Sequence, residues 1–185
     1  DIIFNVRARY SLAHVISGRR HIDQIIQEVP GGVGLICGAS GLTDLAELNE
    51  FQRQRVIQEL TALERQADFI IIDTGAGISA NVLGFCQAAD RCLVVTTPEP
   101  TSITDAYAMI KQLSRGHTGV KLSVLVNMAD SRIEAKKVYQ RLASTAKNFL
   151  TITVSDAGYI LRDEHLPEAV SQCKPVVLAF PRSQV

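Results

Sequence analysis

Phe69-Ile70-Ile71-Ile72-Asp73-Thr74-Gly75-Ala76-Gly77-Ile78 sets four consecutive apolar residues in front of a carboxylate and two glycines. A continuous apolar run of this kind reads as a parallel strand buried on both faces, because a strand with one wet face alternates. Similar short runs lie on either side, at Gly34–Cys37, Cys92–Val95, Leu122–Val126 and Leu150–Val154. Their starts are about 23 to 35 residues apart, the length of a βαβ unit. The expected fold class is α/β: a single doubly wound, mostly parallel sheet flanked by helices, taking in residues 1–185.

The segments between the runs carry helix signals. Asn49 followed three residues later by Gln52 is a capping box, and Phe51, Val56, Ile57, Leu60 and Leu63 then make one apolar stripe to about Ala67. Ser131 with Glu134 repeats the start signal for a helix to about Asn148. Thr104–Ser114, ended by Gly116, reads as another helix. Shorter ones are expected at Ser11–Ser17, stopped by Gly18, and at Ile22–Glu28, stopped by Pro30-Gly31-Gly32.

The 185 residues are 46% hydrophobic and 21% charged, enough apolar matter for a core and too much for a disordered chain. Lys+Arg and Asp+Glu both number 19, so the net charge is zero and no basic face for nucleic acid is implied. Arg132, Lys136, Lys137, Arg141 and Lys147 make one helix basic, which reads as a solvated face because aromatic residues are not interleaved. No apolar run reaches the roughly 18 residues of a membrane span. Cys37, Cys86, Cys92 and Cys173 form no C-x-x-C and read as free thiols of a reducing cytoplasm. His14, His21, His117 and His165 are scattered, and no nucleophile–base triad is spaced out among them.

Ligands of doubly wound folds bind at the carboxyl ends of the strands, so the residues after each run carry the candidate chemistry. Asp73 at a strand tip can hold Mg²⁺ through its water shell, and a glycine turn lets backbone N–H groups approach a phosphate. This is the pattern of a Walker B strand with a nucleotide-sensing switch loop. The same residues also suit a plain turn with Asp73 capping the next helix. After Leu93-Val94-Val95 comes Thr96-Thr97-Pro98-Glu99-Pro100-Thr101-Ser102-Ile103-Thr104-Asp105-Ala106-Tyr107, an extended loop forced by two prolines and then a hydroxyl-rich helix start, with Thr101, Ser102 or Thr104 as cap. Asn127 ends another run; its amide can pair with a purine edge, or simply end the strand in a turn. Gly158-Tyr159-Ile160-Leu161-Arg162-Asp163 reads as a last strand and a polar loop, with Asp163 capping a helix toward Val170.

Three segments together resemble the deviant-Walker MinD/ParA ATPases, and within them the flagellar number- and site-determining FlhG/FleN and YlxH-like proteins. They are Pro-Gly-Gly-x-x-Leu-Ile-x-Gly-Ala-Ser-Gly at 30–41, Ile-Asp-Thr-Gly-Ala-Gly-Ile-Ser at 72–79 and Thr96–Ala108. Asn127-Met128 and the closing Ala179-Phe180-Pro181-Arg182-Ser183 agree. The resemblance implies that Asp73 contacts Mg²⁺ through water and that the Gly77 backbone senses the γ-phosphate of ATP. It implies that Asn127 contacts the base and that Gly158–Asp163 closes over it, with Leu161 where the family has Pro. Glu99 and Pro100 fall near the family's ATP-dependent dimer interface.

The same resemblance implies a homodimer, peripheral association with the inner membrane from the cytoplasm, and partnership with the signal-recognition-type GTPase FlhF and the flagellar base. No specific nucleic acid is implied. Two departures stand beside it. A phosphate cradle needs G-x-x-x-x-G-K-[ST], and no Gly-Lys pair occurs in these residues. The first residues, Asp1-Ile2-Ile3-Phe4, read like the middle of a domain. The expectation is an ATPase domain lacking its P-loop strand and helix, inactive alone, with Phe69–Ile72 as an unpaired apolar edge that promotes aggregation. The alternatives are a non-enzymatic partner-binding module, or a ParA-type ATPase that positions chromosomes, plasmids or the division site.

Overall fold

The computed structural model describes residues 3–38, 48–116 and 119–183. The chain divides into two compact units: Asp1–Gly75 with Leu166–Pro181, and Ala76–His165 with Arg182–Val185.

The second unit holds the parallel sheet. Its strands are β3 (Arg91–Thr96), β4 (Lys121–Ala129) and β5 (Ser155–Leu161), in that spatial order. Two crossover helices connect them, α4 (Pro100–Arg115) and α5 (Arg132–Leu150), and α3 (Ala80–Ala88) precedes β3. The register pairs Cys92 with Leu122 and Thr96 with Val126 on one side of β4, and Ala129 with Leu161 on the other. Both crossovers step in the same direction, and right-handed connections that do so place their helices on the same face. That face is the core: Val94, Ile110, Val124, Val126, Val138 and Leu142 are buried together. The other face of β3 is open, with Leu93 51% and Val95 52% exposed. Burial of the runs on both faces is thus not what these strands show; β3 alternates buried and exposed residues.

Helix starts follow the sequence closely. Ser131 Oγ accepts from the Glu134 N–H at 3.2 Å to open α5. α4 begins four residues before the expected Thr104, because Pro100 is tolerated at the first helical position, where no N–H is needed. α3 was not foreseen; Ser79 caps it by accepting from the Val82 N–H at 3.4 Å, so the cap of this helix is Ser79 and not Asp73. α5 runs through Leu150 and stops at Thr151 with φ +59°, so the run Leu150–Val154 is a helix end and a connection, and the strand starts at Ser155.

The first unit holds α1 (Leu12–Ile16), β1 (Gln27–Val29), β2 (Val33–Leu35) and α2 (Glu50–Ala62), followed by a single 3₁₀ turn at Leu63–Arg65. Its core gathers Val15, Ile22, Ile25 and Leu63. Asn49 Oδ1 accepts from the Gln52 N–H at 2.9 Å and Gln52 Oε1 from the Asn49 N–H at 3.0 Å, the reciprocal box read from sequence. Val56 and Leu63 of the predicted stripe are buried, whereas Phe51 is exposed. Ile22–Glu28 gives only a 3₁₀ turn at Ile22–Ile25, and the chain then enters β1. Pro30-Gly31-Gly32 turns β1 back on β2 as an antiparallel hairpin, with Gly31 at φ +93° and Gly32 at φ +73°. Gly34 and Leu35 therefore belong to this hairpin and not to the parallel sheet, and Ile36 and Cys37 follow it outside any strand. Ala39–Gly41 of the first motif lies outside the described residues. α6 (His165–Ser171) and α7 (Val176–Ala179) complete the chain.

Phe69–Ile72 is not a strand. Phe69 is 87% and Ile71 89% exposed, and no ladder partner pairs with them among the described residues. A strand is held by its neighbours' N–H and C=O groups, so an apolar run without a neighbour keeps neither ladder nor burial.

Candidate functional site

The carboxyl ends of β3, β4 and β5 lie along one edge of the second unit, and the Thr96–Pro100 loop, Asn127 and Asp163 gather there. Thr96 is fully buried at the tip of β3, and its Oγ1 lies 3.1 Å from Ser102 Oγ. Ser102 Oγ also accepts from the Thr97 N–H at 3.0 Å. Ser102 thus anchors the proline loop from inside α4 instead of capping the helix, and Thr104 Oγ1 turns back to the Pro100 carbonyl at 2.9 Å. Glu99 and Pro100 sit at the tip of this braced loop, both exposed.

Asn127 is half-buried near the end of β4. Its Oδ1 accepts from the Met128 N–H at 2.9 Å, and Met128 takes φ +56°. The ladder to β5 slips between Val126 and Ala129, so this turn of the backbone sits where the pairing is irregular. The acceptor end of the amide is held by the chain itself, so a contact from this side chain to a base would have to use its NH₂ end.

Asp163 has a side chain only 6% exposed. Its Oδ1 accepts from the His165 N–H at 2.8 Å and lies 2.8 Å from His165 Nδ1. Its Oδ2 accepts from Ser183 Oγ at 2.5 Å. The contact to the backbone N–H at the start of α6 is the capping role read from sequence. The links to His165 and Ser183 were not foreseen; the only signal was that Pro181-Arg182-Ser183 recurs in the resemblance. Next to it, Arg162 Nε meets Asp130 Oδ1 at 3.2 Å, an exposed pair joining the loops after β4 and β5. In β5, Gly158 takes φ +97° while Asp156 Oδ1 accepts its N–H at 2.8 Å, so the backbone bends where the loop begins.

Asp73 belongs to the first unit, is exposed and stands at the end of the apolar run. Gly77 belongs to the second unit, in the bend before α3, at φ +102° with nothing within 4 Å of where a Cβ would stand. An exposed carboxylate suits a hydrated Mg²⁺, which keeps several waters and takes one or two carboxylates beside substrate phosphates. An open glycine backbone suits the approach of a phosphate. Each residue, taken in its own unit, is chemically compatible with the role that the resemblance implies for it.

The first unit also contains a cavity of about 470 Å³ lined by His21, Phe51, Gln54, Arg55, Gln58, Glu59 and Ala62. None of the sequence-predicted site residues lines it. Among the described residues no helix is long and apolar enough to cross a membrane.

No protein-family model matches the chain. It is 36% identical over 184 residues to the antiactivator FleN of Pseudomonas aeruginosa, an alignment covering 100% of this chain and 66% of FleN. It is 35% identical over 148 residues to the flagellum site-determining protein YlxH of Helicobacter pylori, covering 80% of this chain and 50% of YlxH. To the septum site-determining protein MinD of Neisseria meningitidis it is 31% identical over 183 residues, covering 96% of this chain and 68% of that MinD. The chain thus spans between half and about two thirds of the length of these relatives. Among solved structures, the cell division ATPase MinD of Pyrococcus furiosus superposes with a TM-score of 0.75 at 18% identity, covering 98% of this chain and 73% of that one. MinD in the MinC:MinD complex of Aquifex aeolicus superposes at 0.71 with 21% identity, covering 97% of this chain and 70% of that one. By this shared sequence along nearly its whole length, and by a fold common to MinD structures, the chain belongs to the MinD/ParA family of ATPases, among its FleN- and YlxH-like members.

Proposed function

We propose that this chain is the nucleotide-switching region of a MinD-like ATPase that regulates flagellar number or placement, through ATP-dependent dimerisation and reversible association with the membrane and with protein partners. The similarity to FleN over the whole chain carries the flagellar reading. The gathering of Asn127, Asp163 and the Thr96–Pro100 loop at the carboxyl edge of the parallel sheet supports the nucleotide reading.

In this proposal residues 1–185 are one ATPase region without its P-loop strand and helix. Asp73 holds a hydrated Mg²⁺ through water, and the Gly77 N–H meets the γ-phosphate. Mg²⁺ would supply charge neutralisation at the phosphates. Asn127 donates its amide NH₂ to the base. Asp163 keeps the Gly158–Asp163 loop in the shape that closes over the base, through its contacts to His165 and Ser183. Glu99 and Pro100 form part of the homodimer surface, where Ser102 holds their loop rigid. The protein works in the cytoplasm and at the inner face of the membrane, with a signal-recognition-type GTPase of the FlhF kind and the flagellar base as partners.

The test is Mg·ATP binding, hydrolysis and light-scattering mass of the full-length protein, with and without Asn127→Ala. The expected result is hydrolysis, a doubling of mass with ATP, and an ATP affinity about fivefold weaker in the variant, the loss of one hydrogen bond of about 1 kcal/mol. Full-length protein that binds no nucleotide would overturn this reading in favour of a non-enzymatic partner-binding module. Activity without any flagellar phenotype on deletion would move it to a partition or division-site role.

A further inference from the structure

We propose that Cys86 and Cys92 form a peroxide-reactive dithiol that closes reversibly to an intramolecular disulfide between α3 and β3. The two sulfurs lie 3.5 Å apart, with the Cys92 S–H directed at Cys86 Sγ. A disulfide needs about 2.05 Å, so closure asks the sulfurs to approach by roughly 1.5 Å.

The two thiols differ in the way such a pair requires. Cys86 is half-buried on α3 and keeps part of its surface in solvent, whereas Cys92 is buried in the core against the sheet. The hydrogen bond from Cys92 stabilises the Cys86 thiolate and lowers its pKa to about 7, against the opposing effect of burial. Donating that bond, burial and the neighbouring thiolate all raise the pKa of Cys92. Cys86 is therefore the attacking sulfur and Cys92 the resolving one.

The chemistry balances with hydrogen peroxide as oxidant. The Cys86 thiolate attacks one peroxide oxygen, the O–O bond breaks, and hydroxide leaves to be protonated to water. Cys86 is then a sulfenic acid. The Cys92 sulfur attacks the Cys86 sulfur, the S–O bond breaks, and the leaving hydroxyl takes the Cys92 proton and departs as a second water. Two thiols lose two electrons and two protons, and peroxide gains them. The bond would pin the last turn of α3 to the first residues of β3. This site lies apart from the nucleotide residues proposed above and does not depend on their roles.

Trypsin cleaves after Arg91, between the two cysteines, so the disulfide joins two peptides, residues 66–91 and 92–111. The experiment exposes folded full-length protein to stoichiometric hydrogen peroxide, blocks remaining thiols with N-ethylmaleimide under denaturing conditions, and digests. The expected result is the linked peptide pair, lost on treatment with dithiothreitol. In Cys92→Ser the oxidation stops at Cys86, which dimedone then labels. Peptides 66–91 and 92–111 that stay separate and maleimide-blocked would overturn the proposal, as would Cys86 linked to Cys37 or Cys173 instead. The wild-type readout needs no variant, so a Cys92→Ser chain that fails to fold leaves the test intact.

Discussion

Ser183 donates its hydroxyl to Asp163 at 2.5 Å, tying the end of the chain to the loop after β5 across twenty residues of sequence. The Asp163 side chain is only 6% exposed, so this donor sits where water cannot replace it freely. Removing a donor to a buried charged oxygen costs about 1–3 kcal/mol. Ser183→Ala is expected to lower stability by about that amount, read as a shift of the urea midpoint at unchanged slope. Ser183→Thr keeps the hydroxyl and should restore most of the loss. Equal stability of the Ala variant and wild type would show that the contact carries no weight.

Gly77 and Gly75 differ in a way that separates backbone from space. A Cβ would meet nothing at either position, but Gly77 has φ +102°. An L-residue there carries strain of about 1–3 kcal/mol. Gly77→Ala should therefore lose stability, or move the loop and weaken Mg·ATP binding in the full-length protein. Gly75→Ala should do neither. If both substitutions behave alike, the positive φ at Gly77 is not what the loop depends on.

Where the local chemistry of a few residues decides an element, it is legible. The Asn49–Gln52 box, the Ser131 cap, the stop at Gly116 and the strands at Cys92–Val95 and Leu122–Val126 each rest on contacts within a turn or on a run of β-branched residues. Where an element depends on a neighbour far along the chain, it is not legible. Phe69–Ile72 has the composition of a central strand and finds no ladder partner among the described residues. Pro30-Gly31-Gly32 stops a helix or turns a hairpin equally well, and β2 decides between them. At the candidate site the residue types at the strand ends could be read off directly. The Ser183–Asp163 and Ser102–Thr97 contacts that shape it could not, because a hydroxyl gives no sign of its partner.

The exposed run has a consequence for the isolated 185-residue chain. With Phe69 87% and Ile71 89% exposed, an unpaired apolar segment offers itself to other copies. The isolated chain is expected to scatter light increasingly with concentration and to bind Mg·ATP weakly. Phe69→Lys with Ile71→Lys should reduce the scattering and change stability by no more than about 0.5 kcal/mol, as for exposed positions in general. A monodisperse wild-type chain at high concentration, with micromolar affinity for Mg·ATP, would contradict both expectations.

Cys86 gives the pH-dependent prediction. Its pKa is lowered to about 7 chiefly by the hydrogen bond from Cys92, with burial acting in the opposite sense. Alkylation proceeds through the thiolate, so it is slow below the pKa and approaches its plateau above it. The rate of Cys86 carbamidomethylation by iodoacetamide, followed by mass spectrometry of peptide 66–91, should rise with a midpoint near pH 7. Cys92→Ala removes the donor and leaves burial unopposed, so the midpoint should move up, toward or beyond that of an ordinary thiol near 8.5. Cys92→Ser keeps a donor in place and should shift it less. A midpoint that stays put in the Ala variant would mean that the Cys92 thiol does not hold the Cys86 thiolate, and the order of attack assigned to the pair would lose its basis.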